Sequence, residues 1–240
     1  MYNLDQVCIE VTRRCNMNCA HCLRGEAQKI DINTNYIDEL LKDVDFIGNI
    51  TFTGGEPALN VGAIEYTLEF CKNNDISVGS FYIVTNAKLY PEKLAIAALK
   101  WYAYCEDREM CGLAVSKDMF HDWVKPDHIE LLQGLSFFRE DKYTDFKNVR
   151  IINEGRAKEL SSAAFSKVEE DDRCDAFSFW ECADETISVE SMIYLSANGD
   201  IRTDCDIAYD NDNYTIGNIK DESLDVILQR EMEKSRVIVY

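Results

Sequence analysis

Residues 7–22 read VCIEVTRRCNMNCAHC, a strand-like run followed directly by three closely spaced cysteines. Apolar residues dominate its first part, Val7–Val11, which predicts a β-strand. Cys15, Cys19 and Cys22 then share one loop. Thiolates are strong, soft ligands for iron, so three of them at this spacing can hold three corners of an iron–sulfur cubane. The fourth iron of that cubane would remain open.

A structural zinc site or plain core residues are the other interpretations of these cysteines. Structural zinc normally takes four ligands, no partner pair lies nearby, and His21 is crowded against Cys22. The chain has ten cysteines and nothing that indicates export, which favours metal binding or buried thiols over disulfides. Cys8 and Cys71 fall in apolar patterns and are predicted to lie in the core.

The rest of the chain alternates strand-like runs with amphipathic segments. Further strands are predicted at Asn49–Thr53, Ser80–Thr85, Gly112–Ser116 and Asn148–Ile152, with Phe177–Trp180 as a sixth. Helices are predicted at Tyr36–Val44 and Val61–Asn73, and from near Pro91 and Pro126. Such strand–helix units imply parallel strands joined by crossovers. We therefore expect an α/β fold, a partial (β/α) TIM-like barrel of about six parallel strands with ligands at their C-terminal ends.

The pattern changes near Asp175. Residues 186–203 predict a β-hairpin, with Thr186–Ala197 and Asp200–Thr203 as strands around an Asn198-Gly199 turn. A last helix is predicted at Ser223–Glu233. We expect two parts: residues 1–174 as the partial-barrel core and residues 175–240 as a small hairpin-plus-helix appendage.

The formal net charge is −19, with acidic concentrations at Glu169–Asp172 and Asp204–Asp212. A field of this sign repels phosphate backbones, so we expect no binding to nucleic acid or to an anionic membrane. It would steer a basic partner towards the protein, although acidic faces also simply keep a protein soluble. The N-terminal residues contain no apolar run long enough for a signal peptide or a membrane span, which predicts a cytoplasmic location.

A second motif, Thr53-Gly54-Gly55-Glu56-Pro57, ends the second predicted strand. Two glycines let a ligand approach the backbone closely, and Glu56 offers an acceptor for a cation. An ordinary strand-to-helix turn would account for this motif alone. Together and in this order, the C-x3-C-x2-C loop and the Gly-Gly-Glu turn resemble those of the radical S-adenosylmethionine (radical SAM) superfamily.

The resemblance implies an enzyme with a [4Fe–4S] cluster on Cys15, Cys19 and Cys22. The open iron would bind the amino and carboxylate groups of S-adenosylmethionine, and the Gly-Gly-Glu turn would receive the methionyl ammonium. Reductive cleavage of the sulfonium would give a 5′-deoxyadenosyl radical that abstracts hydrogen from a substrate. An electron donor such as flavodoxin or ferredoxin is implied as a partner.

Looser matches extend the implied cofactor site. Thr85 and Asn86 resemble the end of the third strand near the cofactor, and Ser116 resembles a hydroxyl that contacts the ribose. Arg156, in Asn153–Ala157, resembles a Gly-Arg-Ala segment and would pair with the methionyl carboxylate, unless it is a solvated helix-start arginine. His21 takes an often aromatic position beside the adenine.

Two more residues lie at the expected rim of the active site. Asp118 and His121 follow the fourth predicted strand. Proton transfer is a possible role for either, and ordinary loop hydrogen bonding is the alternative.

Residues 175–240, called the tail from here on, resemble the twitch or SPASM extensions of the superfamily, which hold auxiliary iron–sulfur clusters. Cys174, Cys182 and Cys205, with one non-cysteine ligand, are the candidates for one such cluster. Five residues separate Gly199 from Cys205 where the family pattern has four, and the later cysteines are missing. A two-cluster SPASM domain is therefore excluded, and a degenerate cap over the substrate is the alternative.

A peptide or protein is the substrate class we expect, with a basic one favoured by the charge. Against it, the chain starts almost at the first strand, so we expect no separate leader-binding module. A small-molecule or nucleotide-derived substrate is the enzyme alternative. A non-catalytic iron–sulfur or zinc-binding redox sensor is the alternative of another class, but a sensor has no need for the Gly-Gly-Glu turn.

Overall fold

The computed structural model describes residues 1–140, 150–160, 166–168, 177–182 and 186–237. Its strands are β1 (Tyr2–Thr12), β2 (Val44–Gly54), β3 (Ser77–Thr85), β4 (Gly112–Val115), β5 (Phe138–Arg139), β6 (Arg150–Ile152), β7 (Ser166–Val168), β8 (Ser178–Glu181), β9 (Ile187–Leu195), β10 (Asp200–Arg202) and β11 (Thr215–Asn218). Its helices are α1 (Thr34–Leu41), α2 (Val61–Asn73), α3 (Glu92–Tyr104), α4 (Pro126–Gln133) and α5 (Leu224–Val237), with 3₁₀ turns at Pro57–Leu59 and Gly155–Glu159.

Nine strands form one sheet in the order β11-β10-β9-β1-β2-β3-β4-β5, with β8 beside β9. The six strands from β9 to β5 along this path run parallel. The expected α/β class, a partial barrel with about six parallel strands, is thereby confirmed. Because parallel strands end at the same edge, the loops after β1, β2, β3 and β4 meet at one place.

The identity of the two outer parallel strands differs from the sequence prediction. The predicted strand Asn148–Ile152 is β6 from residue 150 onward, and it pairs with β7 in a separate two-stranded sheet. The fifth place in the main sheet belongs to β5, whose two residues are too few to give a periodic signal.

The predicted hairpin is continuous with the main sheet. Its first strand, β9, pairs in parallel with β1, for example Val7 with Ile193, and β10 returns antiparallel. The predicted strand Phe177–Trp180 is β8, antiparallel on β9. The predicted boundary at residue 174 lies outside the described residues and stays a prediction.

The core lies between the sheet and its helices. β1 is buried at every position from Val7 to Thr12, as expected for a central parallel strand covered on both faces. Trp101 of α3 is fully buried against Phe52, with 5.2 Å between ring centroids, and donates its indole N–H to the backbone of Ile64. Cys8 and Cys71 are buried, which confirms their assignment to the core.

Helix positions follow the sequence prediction closely. α2 has the predicted bounds, α3 begins directly after Pro91, and α4 begins at Pro126. α1 begins two residues earlier than predicted because the Asn33 side chain caps it, accepting from the backbone N–H of Asn35 at 3.1 Å. Among the described residues, every helix is too short or too polar to cross a lipid bilayer.

Candidate active site

The loops after the parallel strands enclose a cavity of about 630 Å³, within the usual size range of small-molecule sites. It lies at the C-terminal strand ends, as the fold predicts. Its polar and sulfur-bearing lining is Arg13, Cys15, Met17, Cys19, His21, Cys22, Arg24, Thr53, Glu56, Asn86, Ser116, Lys117, Asp118, His121, Arg156, Asp206 and Tyr209. Gly54 and Gly55 also line it.

The cysteine loop presents its three thiols to this cavity. Cys15, Cys19 and Cys22 are all partly exposed and unpaired. The backbone N–H of Met17 donates to the Cys15 sulfur at 3.4 Å, and the Cys22 N–H donates to the Cys19 carbonyl at 3.2 Å. The loop is thus folded on itself with its sulfurs directed towards one space.

Electrostatics at the loop favour a cation. Burial, together with the neighbouring charges of Cys15 and Cys22, raises the pKa of Cys19 to about 11. Burial also raises the pKa of the Cys15 thiol, while the Met17 N–H lowers it. Three thiolates that disfavour one another are stabilised when a metal cluster supplies positive charge.

The spacing of the sulfurs is wider than that of a zinc knot. Zinc–sulfur bonds of about 2.3 Å in a tetrahedral site place sulfurs roughly 3.8 Å apart. The sulfurs of Cys15, Cys19 and Cys22, all among the described residues, do not lie within 4.8 Å of one another as a set. The donor set, three soft thiols and no fourth on the loop, fits three corners of a cubane.

The Gly-Gly-Glu turn packs directly on the backbone that leads into the cysteine loop. The N–H of Gly55 donates to the Thr12 carbonyl and the N–H of Glu56 to the Arg14 carbonyl, both at 2.8 Å. A Cβ on Gly55 would lie 2.7 Å from the Arg14 carbonyl carbon. The glycine at this position is therefore required by the neighbouring backbone, whereas the sequence had suggested the approach of a ligand.

Glu56 is held at the floor of the cavity. Its carboxylate accepts from the Thr85 hydroxyl at 2.6 Å, the Asn86 N–H at 2.7 Å and the Ala58 N–H at 3.0 Å. Burial raises the pKa of Glu56, and these hydrogen bonds oppose the shift. A carboxylate has about four acceptor positions, so one remains for an ammonium group, whose charge would offset the burial.

The end of β3 connects this carboxylate to the cysteine loop. Asn86 lines the cavity, and its side-chain amide donates to Asn16 at 2.9 Å and contacts the Cys15 sulfur at 3.8 Å. Thr85 is buried behind it and contacts Glu56. The structure thus places Asn86 in the cavity lining, while Thr85 lies outside the lining and donates a hydrogen bond to Glu56.

His21, Asp118 and His121 form a hydrogen-bonded group that lines the same cavity. The Asp118 carboxylate lies 3.1 Å from His21 Nε2 and 2.8 Å from His121 Nδ1, and it accepts from the backbone N–H of Phe120. Burial alone would raise the pKa of Asp118, but these hydrogen bonds hold it well below its usual range. The His21 ring stacks on Phe120 at 4.7 Å between centroids. Asp118 therefore stays ionised and fixes both imidazoles.

Ser116 and Arg156 also line the cavity. Arg156 donates to Asn18 and lies 3.3 Å from Glu26, and its backbone N–H donates to the Cys22 carbonyl at 3.0 Å. Its Nε is buried with no partner among the described residues. The segment around Arg156 thus packs against the cysteine loop, as a cofactor-binding role requires.

The tail cysteines do not lie together. The Cys182 thiol contacts Ser188, whereas Cys205 lies close enough to Cys8 to raise the pKa of the Cys8 thiol, and Cys8 pairs with Tyr194. Ser188 and Tyr194 are six positions apart on β9, or about 20 Å at roughly 3.3 Å per residue. Cys182 and Cys205 therefore do not share a cluster in the described structure, and Cys174 lies outside it.

Sequence reasoning missed several lining residues, among them Arg13, Asp206 and Tyr209. Arg13 precedes Cys15 without any motif of its own, and Asp206 and Tyr209 reach the cavity from the loop after β10. The tail residues carry no local signal, because only the pairing of β9 with β1 brings them beside the cysteine loop.

Residues 9–102 match the family model of the Radical SAM superfamily. These residues are thus similar to the domain of an enzyme superfamily, and this similarity implies a [4Fe–4S] cluster and S-adenosylmethionine. The matched residues include the cysteine loop, the Gly-Gly-Glu turn and the end of β3. Ser116, Asp118, His121 and Arg156 lie beyond them.

Three curated proteins are similar to part of this chain. An uncharacterized protein of Methanocaldococcus jannaschii is 37% identical over 97 residues, 38% of this chain and 34% of its own length. The radical SAM cyclopropyl synthase TigE of Paramaledivibacter caminithermalis is 31% identical over 106 residues, 35% of this chain and 22% of its own length. GTP 3′,8-cyclase of Clostridium acetobutylicum is 35% identical over 99 residues, 38% of this chain and 30% of its own length. The chain thus spans about a third or less of these relatives.

The fold likeness extends further than the sequence likeness. The solved structure of native anSMEcpe with bound AdoMet and Cp18Cys peptide has a TM-score of 0.53 and 12% identity. It covers 95% of this chain, and the chain covers 80% of it. At this identity the likeness concerns the fold alone.

Proposed function

We propose that this chain is a radical SAM enzyme that acts on a peptide or protein substrate. Cys15, Cys19 and Cys22 would hold the [4Fe–4S] cluster, and Glu56 would receive the methionyl ammonium of S-adenosylmethionine. When bound, the reduced cluster supplies one electron to the sulfonium, which releases methionine and a 5′-deoxyadenosyl radical that takes a hydrogen atom from the substrate.

One observation carries this proposal: the cysteine loop and the Gly-Gly-Glu turn are joined by backbone hydrogen bonds around a single cavity. The Thr12 and Arg14 carbonyls accept from Gly55 and Glu56, so the sulfurs and the buried carboxylate keep a fixed separation. Cofactor chemistry depends on such positioning by the protein.

The remaining lining groups have roles that follow from their contacts. Asn86 donates towards the Cys15 sulfur, which stabilises negative charge on that thiolate. Arg156, with its unpartnered Nε, offers a donor to the methionyl carboxylate, and Ser116 offers a hydroxyl to the ribose. Asp118 holds His21 on Phe120, so that the adenine would meet a fixed aromatic surface.

The first test is cleavage of the cofactor. The full chain would be reconstituted anaerobically with iron and sulfide, then given dithionite and S-adenosylmethionine, and 5′-deoxyadenosine would be quantified. We expect its formation by the native protein and by Cys71→Ala, a core control, and its loss when Cys15, Cys19 and Cys22 are all replaced by alanine. A fully assembled native cluster that yields no 5′-deoxyadenosine would contradict the proposal and favour a redox sensor.

The iron content of the same preparation tests whether the tail holds an auxiliary cluster. One cluster gives about four iron atoms per chain, and an auxiliary cluster gives about eight. The separation of Cys182 from Cys205 favours the lower number, in which case the tail acts as a cap over the cavity.

The peptide substrate is supported by charge and by a fold relative. The net charge of −19 attracts basic chains. The similar structure of anSMEcpe contains a bound peptide. A lysine-rich synthetic peptide pool should increase 5′-deoxyadenosine formation more than an acidic pool of the same length. Deuterated peptides should transfer deuterium into the 5′-deoxyadenosine.

GTP serves as the competing small-molecule probe because part of this chain is 35% identical to GTP 3′,8-cyclase. Consumption of GTP, with no effect of either peptide pool, would replace the peptide proposal by a nucleotide one. Reduced flavodoxin or ferredoxin, the electron donors we propose, can take the place of dithionite in the same assay.

A further inference from the structure

We propose that Arg13 and Tyr209 form a subsite that binds a carboxylate group of the substrate inside the cavity. This inference rests on the proposed function, since it names a chemical group of that substrate. The subsite joins a residue of the cysteine loop region to a residue of the tail.

The two side chains lie together and each has an unused polar atom. The Arg13 guanidinium lies over the Tyr209 ring, 4.5 Å from its centroid. Arg13 donates from Nε to Glu10 at 2.6 Å and from Nη1 to Gln28 at 3.2 Å. Arg13 Nη2 and the Tyr209 hydroxyl have no partner among the described residues.

Because Arg13 Nη2 and the Tyr209 hydroxyl are buried, their lack of a partner among the described residues points to a ligand. Arg13 is 2% exposed and Tyr209 is 8% exposed, although both line the cavity. A buried donor without a partner is costly, and native proteins rarely keep one unless a ligand or an ordered water supplies the acceptor. Burial and the charge of Glu10 raise the pKa of Tyr209, so its hydroxyl remains a donor at neutral pH.

The charged side chains around Arg13 and Tyr209 favour an acceptor that carries one negative charge. Arg24 is also buried beside the cavity, donates to the Ile207 carbonyl at 2.9 Å and lies over the Tyr194 ring at 5.0 Å. Within the described residues its guanidinium makes no ion pair with a carboxylate. Glu10 is already occupied by Arg13 and Tyr194.

A carboxylate matches the donors better than a phosphate does. Its two oxygens can accept hydrogen bonds from the N–H groups of Arg13 Nη2 and from the hydroxyl of Tyr209. A phosphate would bring more acceptors and a second negative charge close to Glu10 and to the half-buried Asp206. The carboxylate can come from an aspartate or glutamate side chain or from the C-terminus of the substrate peptide.

Small probes test the subsite without knowledge of the whole substrate. N-acetylaspartic acid α-amide carries a side-chain carboxylate, N-acetylglycine carries a terminal one, and N-acetylasparagine amide is the neutral counterpart. Each would be titrated by saturation-transfer NMR into the full reconstituted chain loaded with S-adenosylmethionine. We expect saturable binding of at least one carboxylate and none of the neutral amide, and the bound one identifies the source.

Two variants and a control complete the experiment. Arg13→Gln should weaken binding of the carboxylate about tenfold or more, because a charged hydrogen bond is lost. Tyr209→Phe should weaken it about three- to tenfold, and it removes only an unpartnered hydroxyl, so it should fold even if Arg13→Gln does not. Arg14→Gln is the matched control, since the Arg14 side chain contacts Asp31 and Leu59 outside the cavity lining.

Four outcomes would overturn the subsite. In the first, the native protein binds neither carboxylate, and in the second it binds the carboxylate and the neutral amide equally well. In the third, Tyr209→Phe binds the carboxylate as tightly as the native protein does. In the fourth, Arg13→Gln binds S-adenosylmethionine more weakly while its carboxylate titration is unchanged. Because the titration requires no turnover, an absence of 5′-deoxyadenosine would contradict the proposed function without affecting this measurement.

Discussion

Replacement of Gly55 by alanine should destabilise the protein even in the absence of iron and cofactor. The added methyl group would overlap the Arg14 carbonyl oxygen and lie 2.7 Å from its carbon. That oxygen accepts the Glu56 N–H at 2.8 Å, so its displacement also weakens a hydrogen bond. Overpacking costs about 1–3 kcal/mol and the hydrogen bond about 0.5–1.5 kcal/mol. Together they give about 1.5–4.5 kcal/mol.

Gly62→Ala is the matched control. It lies in the first turn of α2, where a Cβ would meet only the Asn60 side chain, at 4.0 Å. Alanine in place of an unstrained helical glycine should stabilise by up to about 1 kcal/mol. For a chain of this size, 1 kcal/mol corresponds to about 2–4 °C, so Gly55→Ala should lower Tm by about 3–18 °C and Gly62→Ala should raise it slightly.

The measurement is thermal unfolding of the reduced, metal-free chain, followed by circular dichroism. If metal-free Gly55→Ala melts at the same temperature as the native protein but fails to bind S-adenosylmethionine, the reasoning is wrong. The glycine would then be required by the ligand, as the motif alone had suggested, and the contact with the cysteine loop backbone would be incidental.

Three further outcomes are expected. Trp101→Ala should lower the free energy of unfolding by about 3–5 kcal/mol in a urea titration, because a fully buried indole and its hydrogen bond to Ile64 are lost, and a loss below about 1 kcal/mol would contradict the packing. Cys71, whose pKa burial raises to about 12, should resist iodoacetamide at about pH 8.5 in the native protein and react after unfolding; mass mapping that finds it modified at native conditions would disprove its burial. Glu56→Gln should weaken S-adenosylmethionine binding about tenfold or more in equilibrium dialysis, and an unchanged affinity would remove Glu56 from the ammonium site.

The parts of the fold that follow from local pattern were predictable from the sequence. α2 has the predicted bounds because its apolar side chains repeat with a helical period, with Ile64, Leu68 and Cys71 all buried. β1 was recognised by its continuous apolar run. The cysteine loop and the Gly-Gly-Glu turn were recognised because each motif is short and contiguous.

The parts that depend on distant pairing were not predictable in this way. β5 has two residues and no period to detect. The parallel pairing of β9 with β1 joins segments 185–186 positions apart, so no local pattern predicts that the hairpin extends the main sheet. Arg13 and Tyr209 meet only as a result of that pairing, which is why neither was a predicted site residue.

The cavity is therefore lined by two groups of residues: those in short sequence motifs, and those that distant strand pairing brings to the cavity. The cluster and cofactor side is built from β1, β2 and β3 and is fixed by backbone hydrogen bonds from Gly55 and Glu56 to the segment that precedes Cys15. Asp206 and Tyr209 come instead from the tail, which β9 and β10 bring beside the cysteine loop. A change at Tyr209 would therefore alter what meets Arg13, and it would leave the hydrogen bonds from Gly55 and Glu56 in place. The matched residues 9–102 include the cysteine loop and Glu56 but not Tyr209, so we propose that the first three strands carry the chemistry and that the tail contributes to the selection of the substrate.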